Sequence, residues 1–220
     1  MIFANTALGG FLMILLLRST SSFVCRHYGS PRLDLRSFAS KVGEIHFFNE
    51  QTALPNINEE RLLDTLTRIR SKIGYESYAV SLALVEDEEM KETNRETRGI
   101  DEPTDILSFP FHEAVEPGLL AKPEFDIPDM KNLGDMMVDV PYVMRRCEED
   151  EEWEYEDDDE RGVSGAMVNV FDPEVRLHML LVHGMLHLVG YDHINDGDYE
   201  VMVGKEEELL HELDLLIDHA

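Results

Sequence analysis

A chain of 220 residues with 43% apolar residues is long enough for one ordinary buried core plus appendages. Its two cysteines, Cys25 and Cys147, exclude a disulfide framework and a cysteine-rich metal site, and point to a reducing compartment. The formal charge of -27 excludes long-range attraction to nucleic acid, so an RNA-binding role requires a local cationic site.

The charge is uneven. Residues 1–43 sum to +4, whereas residues 148–160, EEDEEWEYEDDDE, hold 11 acids and no base. The first 43 residues read as a targeting presequence. The apolar run ALGGFLMILLL (7–17) stops at Arg18 and is too short to span a bilayer comfortably. An acid-poor stretch rich in Arg and Ser follows, and the two together resemble a bipartite plastid-type leader. A mitochondrial presequence and a single membrane-anchoring helix are the alternatives. Residues 44–220 are then expected to form one domain, with an acidic insertion near 148–160 and no membrane anchor once the presequence is removed.

The segment EIHFFNEQT (44–52) alternates loosely and predicts a first strand. A helix follows, with Asn58 as N-cap, Glu59 and Glu60 in its first turn and Gly74 at its close. Leu62, Leu63, Leu66, Ile69 and Ile73 fall on it at helical spacing. SYAVSLALV (77–85) predicts a second strand, and EDEEMKETNRETRG a short polar helix ending at Gly99. PTDILSFPF (103–111) predicts a third strand, whose prolines suit its ends or an edge. With three prolines and little periodicity, residues 113–132 are expected to be a loop before a fourth strand, LGDMMVDV (133–140). PYVMRRCEED begins a helix with Pro141 in its first turn. The acidic run beyond it is expected to be a solvated, mobile insertion, or else a docking tail for a basic partner.

DPEVRLHMLLVHGMLHLVG (172–190) predicts a helix with Asp172 as N-cap, Pro173 at its first position and Gly190 at its end. It is apolar nearly all round, so it should be buried. A last helix covers roughly residues 196–218. The pattern predicts an α+β fold: a small mixed four-stranded sheet packed with helices, the helix 172–190 buried against it.

That helix carries the chemistry. His183 and His187 lie one above the other on one face, and Gly190 lets the chain reverse so that His193 returns to the same point. Unpaired polar groups on so apolar a helix would cost roughly 2–7 kcal/mol each. A metal satisfies all three imidazoles at once. Three neutral imidazoles with one open position describe a catalytic rather than a structural zinc site, one Zn2+ per chain, although Ni and Cu fit the same donors. The spacing H-x-x-x-H-x-x-G-x-x-H is also that of metzincin proteases, but those carry a general-base glutamate where this chain has Gly184. Peptide hydrolysis by that mechanism is therefore not expected. A phosphodiester asks less of a protein base when a metal activates water, provided positive charge faces its oxygens. Gly184 has two readings: room for a bulky substrate group beside the metal, or close packing against a strand. His178 is read as structural or surface, and His27, His46, His112, His211 and His219 receive no role.

With that motif in place, NRETRGIDEPTDILSFP (94–110), LGDMMV (133–138) and HGMLHLVGYDH (183–193), in this order, resemble the YbeY family of zinc-dependent endoribonucleases. The resemblance covers most of residues 44–218. It implies cleavage of single-stranded RNA in ribosomal RNA maturation and ribosome quality control, with the small ribosomal subunit or assembly factors as partners. It also implies a compact α+β fold with His183, His187 and His193 on one zinc. Arg98, in the pattern N-x-x-x-R-G, matches the family's functional arginine, and a guanidinium suits a phosphate as a planar, permanently charged fork of donors. Without the motif, Arg98 would read as a surface residue at a helix end.

The chain departs from the family where a tyrosine usually precedes that arginine and Thr97 stands here, and residues 113–132 and 148–160 look longer than the family core requires. Asp135 and Asp192 are candidates to orient a ligand imidazole, with turn or strand-end roles as the alternative. The N-terminal extension suggests an organellar member. The competing readings are a zinc peptidase whose base comes from elsewhere and a non-catalytic assembly factor with structural zinc.

Overall fold

The computed structural model describes residues 42–122, 125, 127–152 and 165–215. The expected presequence, up to residue 41, most of the acidic run and the end of the last expected helix lie outside them. In chain order the elements are β1 (Ile45–Asn49), α1 (Glu59–Lys72), β2 (Ala79–Val85), α2 (Asp87–Arg98), β3 (Ile106–Pro110), β4 (Ala114–Glu116), β5 (Leu119–Leu120), β6 (Asn132–Asp139), α3 (Val140–Glu152), α4 (Gly165–Val168), α5 (Pro173–Leu188) and α6 (Asp196–Glu212).

β1, β2 and β6 run parallel and β3 closes the sheet antiparallel, in the order β1-β2-β6-β3. This is the mixed four-stranded sheet the sequence predicts. Strand alternation divides its side chains between two faces. Val80, Leu82, Leu84, Ile106, Met136 and Val138 join the large core that contains α1 and α5. Ala83, Val85, Leu107 and Met137 face the other way, onto Met90 of α2. The helix carrying the metal motif and the helix carrying Arg98 therefore pack on opposite faces of one sheet.

The predicted caps are formed. The Asn58 side chain accepts the N–H of Arg61, and Asp172 accepts those of Glu174 and Val175 ahead of Pro173. α5 packs against β3, β6, α1, α3 and α6 at once, which is why it has almost no polar face. Leu177, Leu181, Leu186 and Leu188 are at most 1% exposed, and each contributes about 1.5–3 kcal/mol.

Three expectations need correction. Residues 113–132 are not all loop: β4 and β5 form a small antiparallel hairpin around Pro117-Gly118, with Gly118 at φ 83°. Proline followed by glycine at positive φ is the signature of a type II turn. The acidic run is not wholly a solvated insertion. α3 continues through Glu152, and its Asp150 is buried beside Arg176 because α3 packs on α5. The last helix ends at Glu212 rather than near 218, with Leu213 as its cap.

Candidate metal centre

His183 and His187 sit one turn apart on α5, His183 buried and His187 half-buried. The helix ends at Leu188, and Gly190 at φ 87° turns the chain back. Three residues further on, His193 faces the same point, stacked on His183 with ring centroids 5.4 Å apart and an interplanar angle of 30°. One nitrogen from each ring lies within 4.8 Å of the other two.

The ring hydrogen bonds fix which nitrogens are free. Nδ1 of His183 lies 2.6 Å from Oε1 of the buried Glu206, and Nδ1 of His187 lies 3.0 Å from the Tyr191 carbonyl oxygen. A carboxylate and a carbonyl only accept, so both Nδ1 atoms carry the proton. In a neutral imidazole the lone pair is then at Nε2. The two Nε2 atoms are 3.0 Å apart. Two lone pairs at that distance repel unless a cation or a proton stands between them. Burial and the neighbouring imidazoles push His187 down to about 4, so its ring is neutral at pH 7. The donor set therefore fits a borderline-soft divalent cation, with imidazole Nε2 atoms as ligands and Glu206 and Tyr191 behind them.

The three histidines open into a cleft of about 350 Å³ whose wall includes Arg98, Asp105, Ser108, Tyr142, Arg146 and Arg176. Arg98 is the last residue of α2, ahead of the left-handed Gly99 cap, and it is exposed. It forms no ion pair among the described residues, although its neighbours Lys91 and Arg95 both pair with Asp101. The Asn94 side chain donates to the Glu102 carbonyl and so ties α2 to the loop leading into β3. Thr97, in place of the expected tyrosine, turns its hydroxyl back to the Thr93 carbonyl. The local cationic site that a -27 chain needs is present in this cleft.

Gly184 resolves toward packing. A Cβ there would stand 2.6 Å from Cδ1 of Ile106, 2.8 Å from Sδ of Met136 and 3.1 Å from Oγ of Ser108. The residue faces the sheet rather than substrate, and a glutamate on this face would be driven into β3 and β6.

Of the candidate partners for a ligand ring, neither aspartate is the one used. Asp192 accepts the N–H of His193 as a turn residue. Asp135 lies on β6, its carboxyl raised by burial and hydrogen-bonded to Ser81. Glu206 takes the role. The signal was available: Glu206 falls on the apolar stripe of α6 between Met202 and Leu209, where a lone acid needs a partner. His178 is wholly buried rather than on the surface.

A cleft with convergent nitrogen lone pairs, a guanidinium without an ion pair among the described residues and no carboxylate at position 184 is that of a metal-dependent hydrolase acting on an anionic ester. The sequence profile of the family described as Endoribonuclease YbeY matches residues 44–214. This chain belongs to the YbeY endoribonuclease family. The endoribonuclease YbeY of Halalkalibacterium halodurans is 37% identical over 139 residues, 63% of this chain and 74% of that protein. The Homo sapiens endoribonuclease YbeY is 30% identical over 165 residues, 75% of this chain and 85% of its own length. A solution structure from Thermotoga maritima is similar at a TM-score of 0.43 and 26% identity, over 77% of this chain and 91% of that one.

Proposed function

We propose that this chain is a zinc-dependent endoribonuclease specific for single strands, acting in ribosomal RNA maturation and ribosome quality control. RNA of the small ribosomal subunit and its assembly factors are the partners. The observation that carries the reading is the 3.0 Å approach of two Nε2 lone pairs in a cleft shared with Arg98. His183, His187 and His193 are the residues to hold the zinc. When bound, the ion supplies Lewis acidity to a phosphoryl oxygen and to water.

Everything else falls to the chain's own side chains. Glu206 and the Tyr191 carbonyl hold the protons on Nδ1 and keep both Nε2 atoms turned inward. Arg98 donates to the non-bridging oxygens of the scissile phosphate, and its charge gains most as negative charge builds in the transition state. Among the described residues it has no ion-pair partner, which leaves its donors for that task.

Residues 1–43 act as a targeting presequence, with a plastid as the favoured destination and a mitochondrion as the alternative, and 44–220 is the mature domain. The composition of the first segment supports this. Among the described residues no helix is long and apolar enough to cross a membrane.

The test uses protein lacking the presequence and an end-labelled single-stranded RNA. Cleavage by the zinc-loaded protein, and none by the chelated protein or by a folded Arg98→Ala variant, is the expected result. A folded, zinc-loaded protein that binds RNA and leaves it intact would overturn the reading in favour of an assembly factor.

A further inference from the structure

Much of the positive charge around the cleft is already paired within the protein. Arg146 meets Glu149 and Asp150, and Arg176 meets Asp150. Beyond Arg98 and the histidines, an RNA must therefore be held by contacts that need no net charge. Apart from the histidines, Tyr142 is the one aromatic side chain among the described residues that line the cleft.

Its surroundings differ from those of a structural tyrosine. Tyr75, Tyr78 and Tyr191 pack against the main core, and the Tyr75 hydroxyl both donates and accepts a hydrogen bond. Tyr142 is half-buried and stands outside that packing. Among the described residues its hydroxyl has no hydrogen-bond partner, and only its backbone N–H is engaged.

The ring is nonetheless held in place. The Tyr142 N–H donates to Oδ1 of the wholly buried Asp139 at 2.9 Å, which pins the first turn of α3 to the end of β6. The guanidinium carbon of Arg145 stands over one face of the ring, 5.7 Å from its centroid. That guanidinium is itself forked onto Asp87 at the start of α2, at 2.8 and 2.5 Å. Arg145 is not among the residues that line the cleft, whereas Tyr142 is. A cation fixed behind one face steadies an aromatic ring and leaves the opposite face for a flat π partner. Such a ring costs little to order when a ligand arrives, because its backbone and its backing are set beforehand.

We propose that Tyr142 stacks a nucleobase flanking the scissile linkage, on the ring face turned away from Arg145. This contact rests on the ribonuclease reading and adds a substrate requirement: productive RNA must offer a base, and not only a phosphate, beside the bond that is cut. A base inside a duplex keeps its faces against its neighbours, so only an unstacked base reaches the ring, and single strands are favoured. Every base has a π face, so the position needs a base with little preference as to which.

The experiment uses one end-labelled single-stranded oligoribonucleotide with a mapped cleavage site and the zinc-loaded protein. In a series, each flanking nucleotide in turn loses its base, while its 2′-hydroxyl and phosphates remain. For the native protein, kcat/KM falls about tenfold at one flanking position, as for loss of one base–aromatic stack. Tyr142→Ala loses about the same factor on the intact RNA and shows no further loss when that base is removed. Tyr142→Leu, which keeps apolar bulk without a π face, behaves alike, and Tyr142→Phe stays near the native rate with the native penalty. A merely structural Tyr142 would leave the abasic penalty undiminished in the alanine and leucine variants. That result, or a native protein indifferent to every flanking base, overturns the stack while the ribonuclease reading stands. If the zinc-loaded native protein cuts none of the RNAs, the ribonuclease reading falls and the stack with it.

Discussion

Nδ1 of His183 stands 2.6 Å from Oε1 of Glu206, a carboxylate that is 2% exposed and 23 residues further along the chain. This contact joins α5 to α6 and fixes the tautomer of a metal-ligating ring. Removing such a partner typically lowers metal affinity by about 10–100-fold. Glu206→Gln keeps an acceptor but drops the charge, so zinc affinity should fall about tenfold, and Glu206→Ala should lie nearer the upper end. Competition against a chelating dye measures both. Unchanged affinity in both variants would show that His183 needs no orienting acid.

Substitution of Gly184 separates packing from chemistry. The atoms nearest a new Cβ are Cδ1 of Ile106 and Sδ of Met136, both far out on flexible side chains. Gly184→Ala should therefore cost no more than about 1–2 kcal/mol, the crowding being offset in part by better helix propensity. Gly184→Glu places a carboxylate against the sheet and should prevent folding. Urea unfolding of the first and the soluble yield of the second check this. A folded Gly184→Glu protein that cleaves peptides would return the protease mechanism to consideration.

A carboxyl that does not itself line the cleft sets a pH signature. The wholly buried Asp139 is raised to about 7, chiefly by burial, with the Tyr142 N–H opposing the rise and the neighbouring Asp87 charge adding to it. In the unfolded chain the same group ionises near 4. A raised folded pKa means stability that is full below about pH 4 and lost as pH climbs to 7. Asp139→Asn keeps the acceptor for the Tyr142 N–H and cannot ionise. At pH 8 it should be more stable than the native chain by on the order of 2–4 kcal/mol, with little difference at pH 4. Denaturant melts at the two pH values measure the crossing, and parallel pH profiles would show that Asp139 is charged in the fold.

Gly190 meets two demands together. Its φ is 87°, and an added Cβ would fall 2.1 Å from Cβ of Ala114 in β4. Gly190→Ala should cost about 2–3 kcal/mol from backbone strain and overlap. Because the turn carries His193, zinc affinity should drop by more than stability alone explains. Calorimetric zinc titration on the folded variant tests this, and native affinity with reduced stability would sever the turn from the metal site.

Most of the architecture was legible because its signals are local. Caps at Asn58 and Asp172, a prolyl first turn at Pro173 and the loose alternation of β1 need no knowledge of distant contacts. The three histidines and Arg98 were likewise visible as motifs, and the structure brings all four to one cleft. What escaped is long-range. Glu206, Asp150 and Arg176 become informative only once α3 and α6 dock on α5, since each is an ordinary charge until it is buried. The β4–β5 hairpin was hidden by its prolines, although Pro117-Gly118 spells its turn.

That hairpin bears on when the metal can be captured. His183 and His187 become neighbours as soon as α5 is helical, whereas His193 depends on a turn held from outside. The Gly118 N–H donates to the Val189 carbonyl, while the Tyr75 hydroxyl donates to the Gly118 carbonyl and accepts the Leu120 N–H. Residues near 75, 118 and 190 must therefore meet before the third ligand is in place. A half-assembled chain presents two nitrogens and holds an ion weakly; the finished one presents three. Tight metal capture thus serves as a proofreading mark of completed tertiary assembly, so an enzyme that cuts RNA acquires its ion only after it has its shape.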